Sequence, residues 1–277
     1  MKRHLSIALI GLSGLSYAQE LDTPVVSTPD GPSVSLGLDM ATAYYFRGYR
    51  QEDSGLILQP WSEVTFELSD DSPLSLTLGQ WHSFHSEKSG ATTGDSFVGT
   101  WYEADWYATL GWGRGDWSFG VTWTNYSSPA GAFATIDELT FSAGLDDSGE
   151  DSSGWQPSIA VSLETDHRGT GEAAYLQLGV APVWTVDTGG HLLDVTVPVT
   201  LGLSLNDYYI DGSGDDSTFG YLDVGMEIEE PLCSGPRQGD WTWNFGVHAL
   251  LLGDGPELAN DDDNSAFYAS IGIGTSL

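Results

Sequence analysis

The stretch WYEADWYATLGWGRGDWSFGVTWT, residues 101–124, decides the fold. Tyr102, Ala104, Trp106, Ala108, Leu110 and Trp112 fall on one parity, and Glu103 and Asp105 fall on the other. After Gly113-Arg114-Gly115-Asp116 the alternation resumes as Trp117, Phe119, Val121 and Trp123. A period of two places apolar side chains on one face of a strand, and a short Gly-rich break between two such runs is a hairpin turn.

The same rhythm runs outward in both directions. Upstream it appears as Val34, Leu36, Leu38 and Met40, then Leu56, Leu58, Val64, Phe66 and Leu68, then Leu74, Leu76 and Leu78. Downstream it continues through Leu139 to Leu145, Ile159 to Leu163, Leu176 to Val180, Leu193 to Leu203, Leu222 to Ile228, Trp243 to Leu251 and Phe267 to Leu277. The segments number about twelve. Alternation alone fits either a soluble sandwich or a barrel in lipid, because the pattern does not say which face meets water.

Three features choose the second. Aromatic residues cluster beside alternate connections: Trp112 and Trp117, Trp155, Trp184, Trp241 and Trp243 form a candidate interfacial girdle. Tight breaks at Ser69 to Ser72, Gly113 to Asp116 and Asp187 to Gly190 alternate with long ones at His85 to Gly99, Asn206 to Ser217 and Gly253 to Asn264. The breaks at Asp146 to Gly154 and Leu232 to Asp240 are longer than that rule wants. An even strand count places both ends on one side of the membrane, and the chain finishes on an apolar strand. The expectation is an all-β protein, a closed antiparallel transmembrane β-barrel of about 12 strands over residues 33–277, in the outer membrane of a Gram-negative envelope.

The start of the chain reads as an export signal. Lys2 and Arg3 precede a short apolar run from Ser6 to Leu15, and Ser16-Tyr17-Ala18 is a cleavage site. The run is about half of the ~20 residues that a membrane-spanning helix needs. Residues 1–18 are therefore assigned to a signal peptide, and 19–32, rich in Pro, Ser and Thr, to a flexible periplasmic arm. Without Lys2 and Arg3 the charge falls from −32 to −34, with six basic residues against 40 acidic ones. Nucleic acid is excluded as a partner, since phosphate binding needs clustered Lys and Arg. The single Cys233 excludes an intramolecular disulfide.

The acids carry the functional reading. Asp39, Glu63, Glu67, Glu103, Asp105, Glu138, Glu164, Asp194, Asp223, Glu227 and Glu229 have the parity opposite the apolar face, so a barrel greasy outside holds them inside. The cations Arg47, Arg50, Lys88, Arg114, Arg168 and Arg237 all lie at strand ends or in connections, leaving an acidic wall almost without inward bases. Such a wall concentrates cations and repels anions. A pore lined by the first ten of these acids and Arg47 follows, with lipid, small hydrophilic solutes or cations, and the outer-membrane assembly machinery as partners. Tyr45, Trp61, Trp81, Tyr107, Tyr175, Tyr221 and Tyr268 share the inward parity and narrow a lumen that twelve strands already make small. Two readings of Arg47 stand open: a partner for inward acids near the outer mouth, or a girdle residue with its head among lipid headgroups.

No catalytic residue, metal site or cofactor is assigned. The densest catalytic candidate is Trp81-His82-Ser83-Phe84-His85-Ser86-Glu87, but His82 and His85 have opposite parities and no Gly-x-Ser-x-Gly elbow is present. The acidic loops Asp211 to Asp216 and Asp261 to Asn264 do not match a twelve-residue calcium loop and read as solvated. A rim hydrolase and a non-conducting structural or adhesive barrel are the alternatives to a channel.

Residues 33–68, SVSLGLDMATAYYFRGYRQEDSGLILQPWSEVTFEL, resemble the opening hairpin of the TorF-like porins, chiefly through Tyr45-Phe46-Arg47-Gly48 followed by Gln51. LSLTLGQWHSF (74–84) with WYEADWYATLGW (101–112) is similar to that family's next hairpin. Thr42-Ala43 stands where the family commonly has Ser-Asp. The resemblance spans roughly the first third of the chain and implies a porin-like barrel without a defined substrate.

Overall fold

The computed structural model describes residues 31–68, 73–87, 97–149, 153–167, 172–189, 192–233 and 239–277. The signal peptide, nearly all of the arm, the Ser69 to Ser72 turn and the cations Lys88, Arg168 and Arg237 lie outside these residues.

Strands alternate with turns along almost the whole chain: β1 Ser33–Ala41, β2 Tyr44–Phe46, β3 Tyr49–Glu52, β4 Ile57–Glu67, β5 Leu74–His85, β6 Trp101–Arg114, β7 Trp117–Ser127 and β8 Ile136–Leu145. There follow β9 Ser158–His167, β10 Ala174–Val180, β11 Val183–Asp187, β12 Leu192–Thr196, β13 Val199–Asn206, β14 Phe219–Cys233, β15 Asp240–Leu252 and β16 Ser265–Ser276. Two short helices, α1 Phe97–Thr100 and α2 Asp254–Ala259, sit in connections.

All pairings between neighbouring barrel strands are antiparallel, and the sheet closes where the last strand, β16, pairs with the first, from Ser35 opposite Ser276 to Ala41 opposite Ser270. Two staves are each interrupted by proline. β10 and β11 break at Ala181-Pro182, β12 and β13 at Val197-Pro198, and the breaks face each other because Val180 pairs with Val199 and Val183 with Thr196. Proline has no N–H to give to a ladder; Val197 N–H instead donates to Pro182 O at 3.1 Å. Taking each broken pair as one stave gives a closed barrel of 12 strands. Closure removes every sheet edge, which is what lets a β-sheet sit in hydrocarbon, where an unpaired backbone group costs several kcal/mol.

The apolar parity faces outward. Leu36, Leu38, Met40, Leu78, Trp106, Leu110, Val121, Trp123, Phe141, Ile159, Met226 and Ile271 are all exposed on the outer wall. The opposite parity is buried within the barrel, where Asp39, Thr77, Glu103, Asp105, Thr109, Thr122, Glu138 and Asp223 are each at most 8% exposed. This exterior makes the chain a membrane-spanning barrel of the outer-membrane kind, since a water-soluble barrel turns its oily face inward.

A bulge on β6 breaks the alternation beside the barrel mouth. A register shift where Ser83 pairs with Glu103 and Phe84 with Trp101 leaves Tyr102 as the extra residue of a bulge. Tyr102 therefore turns inward to stack on His85 at 4.4 Å, against the outward position its parity gave it, while Trp101 takes the outside and stacks on Phe84.

The start of β1, the end of β16 and the 146–157 connection share one end, and the connections 42–56, 128–135, 207–218 and 253–264 share the other. The long 146–157 connection is held by the Asp147 carboxylate, which accepts from the backbone N–H of Trp155 and of Gln156 at 2.8 and 2.7 Å. Those two donors hold the carboxyl below its usual range.

A charge at Val121, midway along the lipid-facing side of β7, is expected to reduce stability by about 2–4 kcal/mol as Val121→Arg. Thr122→Ser, one residue away on the interior side, is expected to change it little. Urea titration of tryptophan fluorescence for protein folded into lipid vesicles measures both.

Candidate functional site

The connection 42–56 does not rise away from the barrel. It forms a hairpin of β2 and β3 that folds across the interior at the long-loop end. Its turn is Arg47-Gly48, with φ of 50° and 87°. Two central residues at positive φ suit the right-handed twist of a two-residue hairpin. Glycine takes that conformation freely, whereas Arg47 is strained in it, and such strain persists only where surrounding contacts hold it.

Those contacts are specific. Arg47 Nη1 and Nη2 donate to Glu138 Oε2 and Oε1 on β8 at 2.7 and 2.8 Å, and Nη2 also reaches Ser162 Oγ on β9 at 3.2 Å. The guanidinium lies 4.2 Å from the Tyr175 ring centroid and donates to the Tyr208 hydroxyl at 3.1 Å. Arg47 and Glu138 are both at most 2% exposed. Glu138 directly opposes Glu164 across the β8–β9 ladder, a like-charge pairing that is unfavourable on its own. The arginine arriving from the far wall neutralises it.

The hairpin is anchored on its other side too. Asn260, just after α2, accepts from the Arg50 backbone N–H and donates to Gly48 O, each at 2.8 Å. Arg50 forms ion pairs with Asp261, Asp53 and Asp263. Tyr209 donates to Arg47 O at 3.0 Å, and Tyr44 donates to Glu103 Oε2 at 2.9 Å. Glu52 turns the chain back towards β4, accepting from the Asp53 and Ser54 backbone and from Ser54 Oγ. Two aromatic cores result inside the barrel mouth, one of Tyr175, Tyr209, Tyr221, Leu250, Leu252 and Tyr268, the other of Tyr44, Ile57, Trp81 and Tyr102.

The acids named from parity distribute along the interior rather than at one point. Glu103, Asp105, Glu138 and Glu164 lie around the hairpin. Asp223 accepts from Tyr268 and lies 3.0 Å from His248 Nδ1, whose Nε2 is 3.4 Å from Glu227. Asp39 accepts from Trp61 Nε1 at 3.1 Å, and Glu63 accepts from Tyr107 at 2.5 Å. Tyr107 reaches Glu63 by lying across Gly79, where a Cβ would fall 2.2 Å from its ring. Asp194 accepts from Thr185 at 2.6 Å and directly opposes Glu229. Glu67 is exposed at the end of β4.

Two bases occupy the interior. Arg47, expected among the pore-lining residues, belongs to a connection, where strand parity has no meaning, and of its two readings the structure selects the partner of an inward acid. Its signal was the Tyr44-Tyr45-Phe46-Arg47-Gly48-Tyr49 run, an X-Gly pair between aromatic strands. His248 sits on the interior parity of β15, between the outward Val247 and Ala249, and is the second of these bases.

The catalytic candidate also resolves. His82 lies outside among Phe84, Trp101 and Trp106. His85 lies inside, its Nε2 2.8 Å from Ser83 Oγ, so a nucleophile–base pair exists in outline. Ser83 and His85 are 0% and 1% exposed, and His85 packs against Tyr44 and Tyr102.

No family model matches the chain, and no curated protein matches it. Among solved structures, the COG4313 outer membrane channel from Pseudomonas putida F1 is similar at 11% identity and a TM-score of 0.48, over 93% of this chain and 100% of that one. A bacterial polysaccharide outer membrane secretin is similar at 10% identity and a TM-score of 0.42, over 90% and 99%. A porin is similar at 10% identity and a TM-score of 0.36, over 89% and 99%.

Arg47→Ala leaves Glu138 buried without its partner and is expected to cost about 3–5 kcal/mol. The paired replacement Arg47→Met with Glu138→Leu is expected to recover most of that loss. Unfolding in urea measures the energies, and faster tryptic cleavage after Arg50 in the alanine variant reports release of the hairpin.

Proposed function

We propose that the protein is an outer-membrane channel for passive diffusion of small hydrophilic solutes, preferring cations, with the 42–56 hairpin as its constriction. The observation that carries this is the imbalance of charge on the interior. Asp39, Glu63, Glu103, Asp105, Glu138, Glu164, Asp194, Asp223, Glu227 and Glu229 line it, with Arg47 as an inward cation and the His248 imidazole set between Asp223 and Glu227. Arg47 is already spent on Glu138. A low-dielectric wall with one sign of charge raises the local concentration of counter-ions and excludes like charge. The resemblance of residues 33–68 to a porin-type hairpin points the same way, because the Tyr-Phe-Arg-Gly piece is what folds inward. Lipid contacts the outer Leu, Val, Phe and Trp set, and the assembly machinery receives the chain before that.

A second reading rests on a specific observation. Arg47, Trp81 and Tyr209 are each at most 2% exposed, so the hairpin fills the mouth tightly enough for a barrel that does not conduct. One recording separates the two. In a planar bilayer with a salt gradient, the channel is expected to conduct with a reversal potential towards that of the cation, and Arg47→Ala to conduct more than the parent. A silent parent protein that conducts only after residues 43–55 are replaced by a short Gly-Ser linker establishes the closed barrel instead. An anion-directed reversal potential overturns the proposed selectivity.

A further inference from the structure

Among the described residues, Asp105 is the carboxylate around the hairpin for which the structure supplies no hydrogen-bond partner. It is 2% exposed, and both of its oxygens are buried without a hydrogen-bond partner. Glu103, two residues earlier on the same face of β6, is 4% exposed and accepts from Tyr44. Glu103 and Glu138 both act on Asp105 as like charges. The Arg47 guanidinium is held bidentately by Glu138. On the two flanking strands, the residues directly opposite Asp105 are Trp81 and Tyr126, both buried, and Trp81 Nε1 also lacks an acceptor.

An isolated buried carboxylate beside another is too costly to stand uncompensated. We infer that Asp105 and Glu103 hold a partly dehydrated monovalent inorganic cation between the aromatic walls of Trp81 and Tyr126, a permeant-ion site just beneath the hairpin. This deepens the channel reading and rests on it for its physiological meaning. The cation supplies the missing positive charge, and the aromatic faces add to its attraction. A water carried in with it offers the acceptor that Trp81 Nε1 wants. A divalent ion fits less well, since calcium takes six to eight oxygens and no group of three or more His, Cys, Asp or Glu side chains converges to hold a metal among the described residues.

The test needs no conductance. Thermal unfolding of the full-length folded protein in detergent is followed in NaCl or KCl and in choline chloride at the same ionic strength. Choline is too bulky to enter between Asp105 and Glu103. The parent protein is expected to unfold several degrees higher in the small cation, as for any ligand that binds only the folded state. Asp105→Asn is expected to remove that difference while unfolding no lower than the parent does in choline. Broadening of the sodium-23 resonance by the parent protein and not by the variant is expected alongside.

Equal unfolding of the parent in both salts overturns the site and assigns a shared proton to the carboxyl pair. So does an undiminished salt difference in Asp105→Asn. Should that variant not fold, Glu103→Gln is used, and retention of the full difference there overturns the inference equally. A cation-dependent unfolding temperature in a barrel that is silent in bilayers keeps the site and removes the channel. A conducting, cation-preferring barrel indifferent to the small cation does the reverse.

Discussion

The interior of this barrel is acidic because lipid leaves the charges nowhere else to go. Closing β1 on β16 satisfies the backbone, and the outer parity must then be apolar along each stave. Along the middle of the staves the carboxylates accordingly point inward, and the acids of outward parity, Asp137 and Glu230, lie near strand ends with Asn125 and Trp243 as their donors. What elsewhere would be a solvated surface becomes a confined wall, and each acid needs a hydrogen-bond donor, a cation or water at short range. Tyr107, Trp61, Tyr268, Tyr44 and Thr185 are the donors that strands provide.

The hairpin of β2 and β3 meets the remaining demand at its worst point. Across the β8–β9 ladder Glu138 faces Glu164, and the cation that relieves this pair comes from a connection rather than from a strand. Arg47 reaches Glu138 from a strained turn, and the bidentate pair together with the Tyr175 ring holds that strain. The same crossing buries Tyr44, Tyr209 and Trp81. Electrostatic relief and the aromatic packing at the mouth thus come from one structural element.

Much of this was legible in the alternation. The strand number, the outward set from Leu36 to Ile273 and the interior placement of Asp39, Glu103, Glu138 and Asp223 follow from a period of two, since a one-residue slip would expose every acid to lipid. Tyr102 was not legible, because a bulge moves parity by one and leaves no mark in the local pattern. The proline breaks in β10–β11 and β12–β13 read as continuous strands, and only the register shows that the two interruptions face each other. Of the two readings of Arg47, the structure selects the interior one. The choice depends on where the connection folds, a long-range property with only the aromatic residues around Arg47-Gly48 as its trace.

The sidedness of the wall is tested most directly by fluorescence quenching from lipids brominated along their acyl chains, using variants that keep a single tryptophan. Trp106 and Trp123, exposed on the outer face, are expected to be strongly quenched, and Trp81, enclosed beside Asp105 and Tyr44, to be unaffected. Quenching of Trp81 with Trp106 and Trp123 shielded would mean that the oily face is turned inward, and the acidic interior would not exist.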